Sequence, residues 1–129
     1  MAFEKETLIK YRIERSKETI SEAKSAIENN KLFAAENRIY YSIFYIMSAL
    51  ALKNNFSTSK HFQLLGWFNK NFVKTKIVSV ELSKIYFDAF EKRQEGDYKD
   101  LIYFTSEEVK EDFENMMNFV KEVEKLILI

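Results

Sequence analysis

Residues 32–53 read LFAAENRIYYSIFYIMSALALK. Between Arg38 and Lys53 stand fourteen residues, Ile39 to Leu52, without a charge. A membrane-spanning helix needs roughly 20 apolar residues, so the stretch is too short to cross a bilayer. Tyr40, Tyr41, Phe44, Tyr45, Met47 and Leu50 lie on nearly all sides of a helix of this length, which predicts a helix buried between other helices.

The flanking sequence supplies those neighbours. About Lys5 to Asn29 carries Ile9, Ile13, Ile20, Ala23 and Ile27 near helical spacing, with Asn29-Asn30 as a stop. Downstream, 54–59 reads as a loop, with Thr58 or Ser59 capping a short third helix that runs to about Phe72. A basic loop over 73–78 follows. Ser79 then caps a fourth helix, with Glu81 in its first turn, apolar residues from Leu82 to Phe90, and an end near Gly96. Thr105-Ser106-Glu107-Glu108 is a capping box that opens a last helix. Its Val109, Phe113, Met116, Val120, Val123 and Ile127 form a seam with alternating steps of four and three. The expected fold is all-α: an antiparallel helical bundle of about five helices, in one domain spanning 1–129.

Composition agrees. There is no proline and there are only two glycines, so long uninterrupted helices are favoured. The absence of cysteine excludes a disulfide framework and thiolate metal sites and fits a reducing, cytoplasmic setting. The first residues are charged rather than apolar, so no signal peptide is expected and no membrane association is predicted. Twenty basic and twenty acidic residues cancel, but residues 37–80 hold six basic residues and no Asp or Glu, while 81–129 hold seven basic and thirteen acidic. In that basic middle, Lys60, Lys70, Lys74 and Lys76, with Trp67 and Phe72 nearby, are placed to follow a phosphate backbone in a salt-sensitive manner. The apolar end, 126–129, suggests contact with another chain.

Candidate chemistry concentrates at the end of the fourth helix, where Arg93, Gly96, Asp97 and Tyr98 follow closely. Arginine offers a planar fork of donors suited to phosphate. Tyrosine adds a hydroxyl and a stacking face. Spacing alone leaves a plainer reading open, in which Arg93 pairs with Asp97 across a turn, Gly96 ends the helix and Tyr98 anchors it. Arg38 with Tyr41 and Tyr45 forms a second group on one helix face, opposed by the reading that this run is core. His61, the only histidine, follows Lys60 directly; it is either a polar surface group or a site residue. The acidic residues over 107–114 fit a solvated face rather than a di-metal bundle, which needs paired Glu-x-x-His motifs. No glycine-rich phosphate loop, nucleophile elbow or zinc spacing is present, so neither a metal nor a cofactor is expected.

Arg38-Ile39-Tyr40-Tyr41-Ser42-Ile43-Phe44-Tyr45, Ser59-Lys60-His61, Phe68 with Phe72-Val73-Lys74-Thr75, and Ala89-Phe90-Glu91 with Arg93-Gln94 and Asp97-Tyr98 stand in this order. Together they resemble the HEPN superfamily, in particular its small stand-alone bacterial and archaeal branch. The resemblance covers about Ile13 to Tyr98. It implies a four-helix up-and-down core and often a homodimer. It also implies a minimal nucleotidyltransferase partner, in pairs that often act as toxin and antitoxin. Many members are metal-independent ribonucleases in which His follows the Arg by a few residues; others only bind nucleotide, RNA or partners. Here Tyr98 stands five residues after Arg93 where such a nuclease carries His. A phenol, with a reference pKa near 10, is a poor base at neutral pH. The resemblance thus implies a ligand pocket of Arg93, Asp97, Tyr98, Arg38, Tyr41, His61 and Lys60. Binding is the first expectation; cleavage by Arg93 with His61 or Tyr98 is the second. If the third helix starts near the end of the fourth, His61 lies beside Arg93 and supplies the base that Tyr98 cannot.

Overall fold

The computed structural model describes residues 2–98 and 102–128, the side chains of residues 2, 3, 97 and 98 excepted. Five α-helices follow in order: α1 (Ala2–Glu28), α2 (Leu32–Lys53), α3 (His61–Phe68), α4 (Val80–Tyr98) and α5 (Ser106–Ile127). The all-α expectation holds, and no strand occurs among the described residues. α2 takes the central place that its sequence predicts, packing against α1, α3, α4 and α5. Ile39, Tyr40, Ile43, Ile46, Met47 and Leu50 are all buried there. Fully burying one such side chain stabilises the fold by roughly 1.5–3 kcal/mol relative to exposure.

α1 and α2 run antiparallel, and their side-chain contacts keep one register. Lys5 reaches Asn55 at 2.6 Å, Arg15 reaches the Tyr45 hydroxyl at 3.0 Å, and Arg38 pairs with Glu22 at 3.2 Å. Small residues let the two backbones approach: Ala23, Ala26, Ala35 and Ala49 are buried in the core, and the buried Ser16 hydroxyl donates to the Ser42 carbonyl at 2.7 Å. α4 and α5 close the opposite side, where Phe68, Tyr86 and Phe119 form a buried aromatic cluster with centroids 5.8–5.9 Å apart.

The helix ends follow local chemistry. At the end of α1, Asn30 has φ 54°, a region that asparagine tolerates better than most residues. The Lys31 N–H donates to Ala26 O at 2.8 Å and the Asn30 N–H to Ile27 O at 3.0 Å, a Schellman closure. Asn55, with φ 64°, closes α2 in the same manner. The Ser79 hydroxyl accepts from the Leu82 N–H at 3.1 Å, and the Thr105 hydroxyl accepts from the Glu108 N–H at 3.1 Å, as the capping patterns predict.

Four expectations are sharpened or corrected. The third helix reaches Val73, close to the expected Phe72, but only His61–Phe68 is α and Asn69–Val73 winds as a π-helical segment. Neither Thr58 nor Ser59 caps it. Lys60 stands at the capping position without a side-chain bond, and the Thr58 hydroxyl accepts the Lys60 N–H at 3.1 Å instead. α4 ends at Tyr98, near Gly96 as expected, but Gly96 lies inside the helix and does not cap it. A Cβ at Gly96 would stand 3.3 Å from both Phe33 and Phe104, so the glycine permits close packing rather than a cap. Finally, the apolar end is not free for another chain as a whole. Ile127 is buried in the core and its carbonyl accepts the Lys53 ammonium, Leu128 is exposed, and residue 129 lies outside the described residues.

Candidate functional site

Residues from α2, α3 and α4 meet beside the middle of α2. Tyr40 and Tyr41 are successive on α2 and point differently: Tyr40 is fully buried, whereas Tyr41 is half-buried. Their rings pack edge to face at 5.2 Å. From α4, the Arg93 guanidinium lies 5.7 Å from the Tyr40 ring centre and 5.6 Å from that of Tyr41, within reach of a cation–π attraction. Its Nη2 donates to the Tyr41 hydroxyl at 3.2 Å. Arg38 approaches the same Tyr41 ring at 5.1 Å, so one tyrosine is flanked by two arginines.

His61 is the first residue of α3 and enters this group from the other direction. Its ring stacks on Phe44 at 4.3 Å with an interplanar angle of 16°, and contacts Tyr41 edge-on at 5.7 Å. Its Nδ1 lies 2.5 Å from the Tyr40 hydroxyl. Burial pushes the Tyr40 phenol above its ordinary value, so it keeps its proton at neutral pH. Burial, and then the positive charge of Arg93, push the His61 imidazole below its ordinary value. A neutral imidazole beside a protonated phenol shares one hydrogen bond with it, whose direction follows the tautomer: when Tyr40 donates to Nδ1, Nε2 carries the imidazole proton. In that tautomer His61 offers an N–H donor beside the tyrosine rings that Arg93 also contacts.

His61 and Arg93 both stand against the rings of Tyr40 and Tyr41. Two donors, a guanidinium and an imidazole N–H, share a wall of tyrosine rings, a combination suited to an anionic oxygen next to a flat group. Lys60 is exposed, one residue before His61. Arg38 is less available than expected, since it also holds Glu22 at 3.2 Å and Asn37 at 2.7 Å. Tyr45 is taken up by Arg15, whose guanidinium lies 4.9 Å from its ring centre, and reaches the Arg93 group through the Tyr41 ring at 6.1 Å. The side chains of Asp97 and Tyr98 lie outside the described residues, and so does any Arg93–Asp97 pair.

Two residues of the site carry a role that their sequence context hides. Tyr40 and Phe44 read as core, and Tyr40 is core, yet both also position the imidazole. Their spacing of four places them on one helix face; that face shows no partner until α3 is folded onto it. Along the expected lysine path Lys70, Lys74 and Lys76 are exposed, while Phe72 is buried and Trp67 stacks on Phe56 at 5.3 Å.

Among the described residues no helix is long and apolar enough to cross a membrane. Residues 9–126 match the family described as HEPN domain. A UPF0332 protein of Thermotoga maritima is 44% identical over 124 residues, covering 96% of this chain and 94% of its own length. A protein of Methanocaldococcus jannaschii, which bears the name "Putative toxin MJ0142", is 35% identical over 99 residues, covering 76% of this chain and 67% of its own.

Proposed function

The chain belongs to the HEPN domain family, and on that footing we propose that it is a nucleotide- or RNA-binding interaction module, one domain over 1–129. In this reading it works in the cytoplasm as a homodimer, with a minimal nucleotidyltransferase partner, in a toxin–antitoxin-type pair. The observation that carries the binding reading is the convergence of Arg93 and His61 on Tyr40 and Tyr41. Arg93 contributes a permanent charge and a planar fork, His61 an N–H donor, and the half-buried Tyr41 a ring face. The name of the archaeal relative supports the toxin–antitoxin setting. The exposed apolar residues Val80 and Phe87 on α4 support a protein contact.

The test is titration of a short single-stranded RNA with the purified protein at two salt concentrations. Binding is expected to weaken as salt rises and to fall by about tenfold or more in Arg93→Ala, the scale of a lost charged hydrogen bond. Binding that ignores both salt and the substitution would sink the reading.

A second reading is metal-independent RNA cleavage, and one observation favours it. His61, held neutral beside Arg93, supplies an imidazole where the motif after Arg93 lacks one. In the tautomer in which Tyr40 donates to Nδ1, its Nε2 holds the proton and is a candidate general acid. Cleavage of RNA in the presence of a chelator, abolished by both Arg93→Ala and His61→Ala, would replace the binding reading with this one.

A further inference from the structure

A cavity of about 360 Å³ lies between α2, α4 and α5, and none of the Arg93 group lines it. Ile39 and Ile85 give it an apolar wall, and Glu36, Glu81, Asp88 and Asp112 bring four carboxyl groups against a single lining cation, Lys84. Glu81, Lys84 and Asp88 are exposed, and solvent accommodates them. Glu36 is different. It is 3% exposed, and its Oε1 has no hydrogen-bond partner among the described residues. A buried polar atom left unmatched costs on the order of 1–3 kcal/mol, so Oε1, on a carboxyl that otherwise shares a hydrogen bond with Asp112, calls for a donor.

The cation nearest in chemistry is already committed. The Lys92 ammonium lies 2.6 Å from Asp112 and 3.0 Å from Glu108, and Asp112 and Glu108 hold it in place of Glu36. We propose that this cavity binds a primary alkylammonium group, whose N–H donors meet Glu36 and Asp112 and whose methylenes lie along Ile39 and Ile85. A metal ion fits less well, because no three His, Asp or Glu side chains among the described residues stand together as a metal site. Hydrated cations also gain nothing from an apolar wall, whereas an alkyl chain does.

The proton balance gives the proposal a signature. Burial, the Asp112 charge and a hydrogen bond shared with Asp112 push the Glu36 carboxyl up to about 9, opposed by Lys92 and aided by Glu108. At neutral pH Glu36 is therefore protonated. An ammonium ion seated on it favours the carboxylate, so binding transfers the Glu36 proton to the buffer and strengthens as the pH rises toward 9.

The experiment is calorimetric titration of the full chain with 1,4-diaminobutane and, separately, with lysine capped at both its amino and carboxyl ends. Each is run in two buffers of different ionisation enthalpy, with magnesium chloride as the control cation. Saturable binding with release of about one proton is expected, weakened about tenfold or more in Glu36→Gln. Glutamine is close in shape to the protonated acid, so this variant should keep the fold, which circular dichroism checks. Tighter binding of the diamine assigns the ligand to a free amine; tighter binding of capped lysine assigns it to a protein side chain. No saturable binding of either amine, equal affinity in Glu36→Gln, or equal displacement by magnesium would overturn the proposal.

Discussion

With one histidine in the chain, the imidazole resonances in a proton spectrum report on a single position. The two influences on His61 can be separated there, because burial acts through the surroundings while Arg93 acts through its charge. Arg93→Ala removes the repulsion that disfavours the imidazolium, so the titration midpoint of His61 should move upward toward the ordinary 6.5. A midpoint that stays put or moves down would show that Arg93 does not act on the ring. The sign for stability is fixed by the same shift. A histidine whose folded value lies below its unfolded one contributes stability above about pH 6.5, and loses it as the pH falls through the lower folded value. The Tyr40 hydrogen bond belongs to this scale too, since its direction is tied to which imidazole nitrogen carries the proton.

Among the elements, α4 is the most exposed to a single substitution. At Gly96 an added methyl gains up to about 1 kcal/mol of helix propensity, but it meets Phe33 and Phe104 at 3.3 Å. Phe33 is exposed and can shift, whereas Phe104 is buried. Gly96→Ala should therefore be close to neutral, and Gly96→Val should destabilise by about 1–3 kcal/mol through overpacking, as chemical denaturation would measure. A neutral valine would remove the packing role assigned to this glycine. The helices themselves were legible in the sequence, and so were the caps at Ser79 and Thr105, because hydroxyl and target lie three residues apart. The switch at Asn69 from α to π winding was not; there Phe68 packs on Tyr86 and Phe119, which stand far along the chain. The site was legible in part. Arg93 and His61 stand out as residue types, but the contact of His61 with Tyr40 spans 21 positions and exists only once α3 lies on α2. The charge pattern likewise marked the basic middle and left Glu36 unremarked, since its burial depends on α4 and α5 closing over α2.

For the molecule as a whole, the bundle depends on one axis. α2 touches the four other helices, so a cavity opened in it weakens every interface at once rather than one. Ile43→Ala, at a position with no exposed surface, should lower the unfolding free energy by about 2–5 kcal/mol. The loss should be seen identically by far-ultraviolet circular dichroism and by tryptophan fluorescence of Trp67. Separate transitions for the two signals would mean that α3 melts independently of the bundle. The same centrality has an evolutionary consequence. Tyr40 fills the interior and also faces the imidazole, so drift in the packing of α2 is felt by the proton on His61. A lineage that repairs its core near this position retunes its chemistry in the same step, and a lineage that retunes its chemistry must first find a core that tolerates the change.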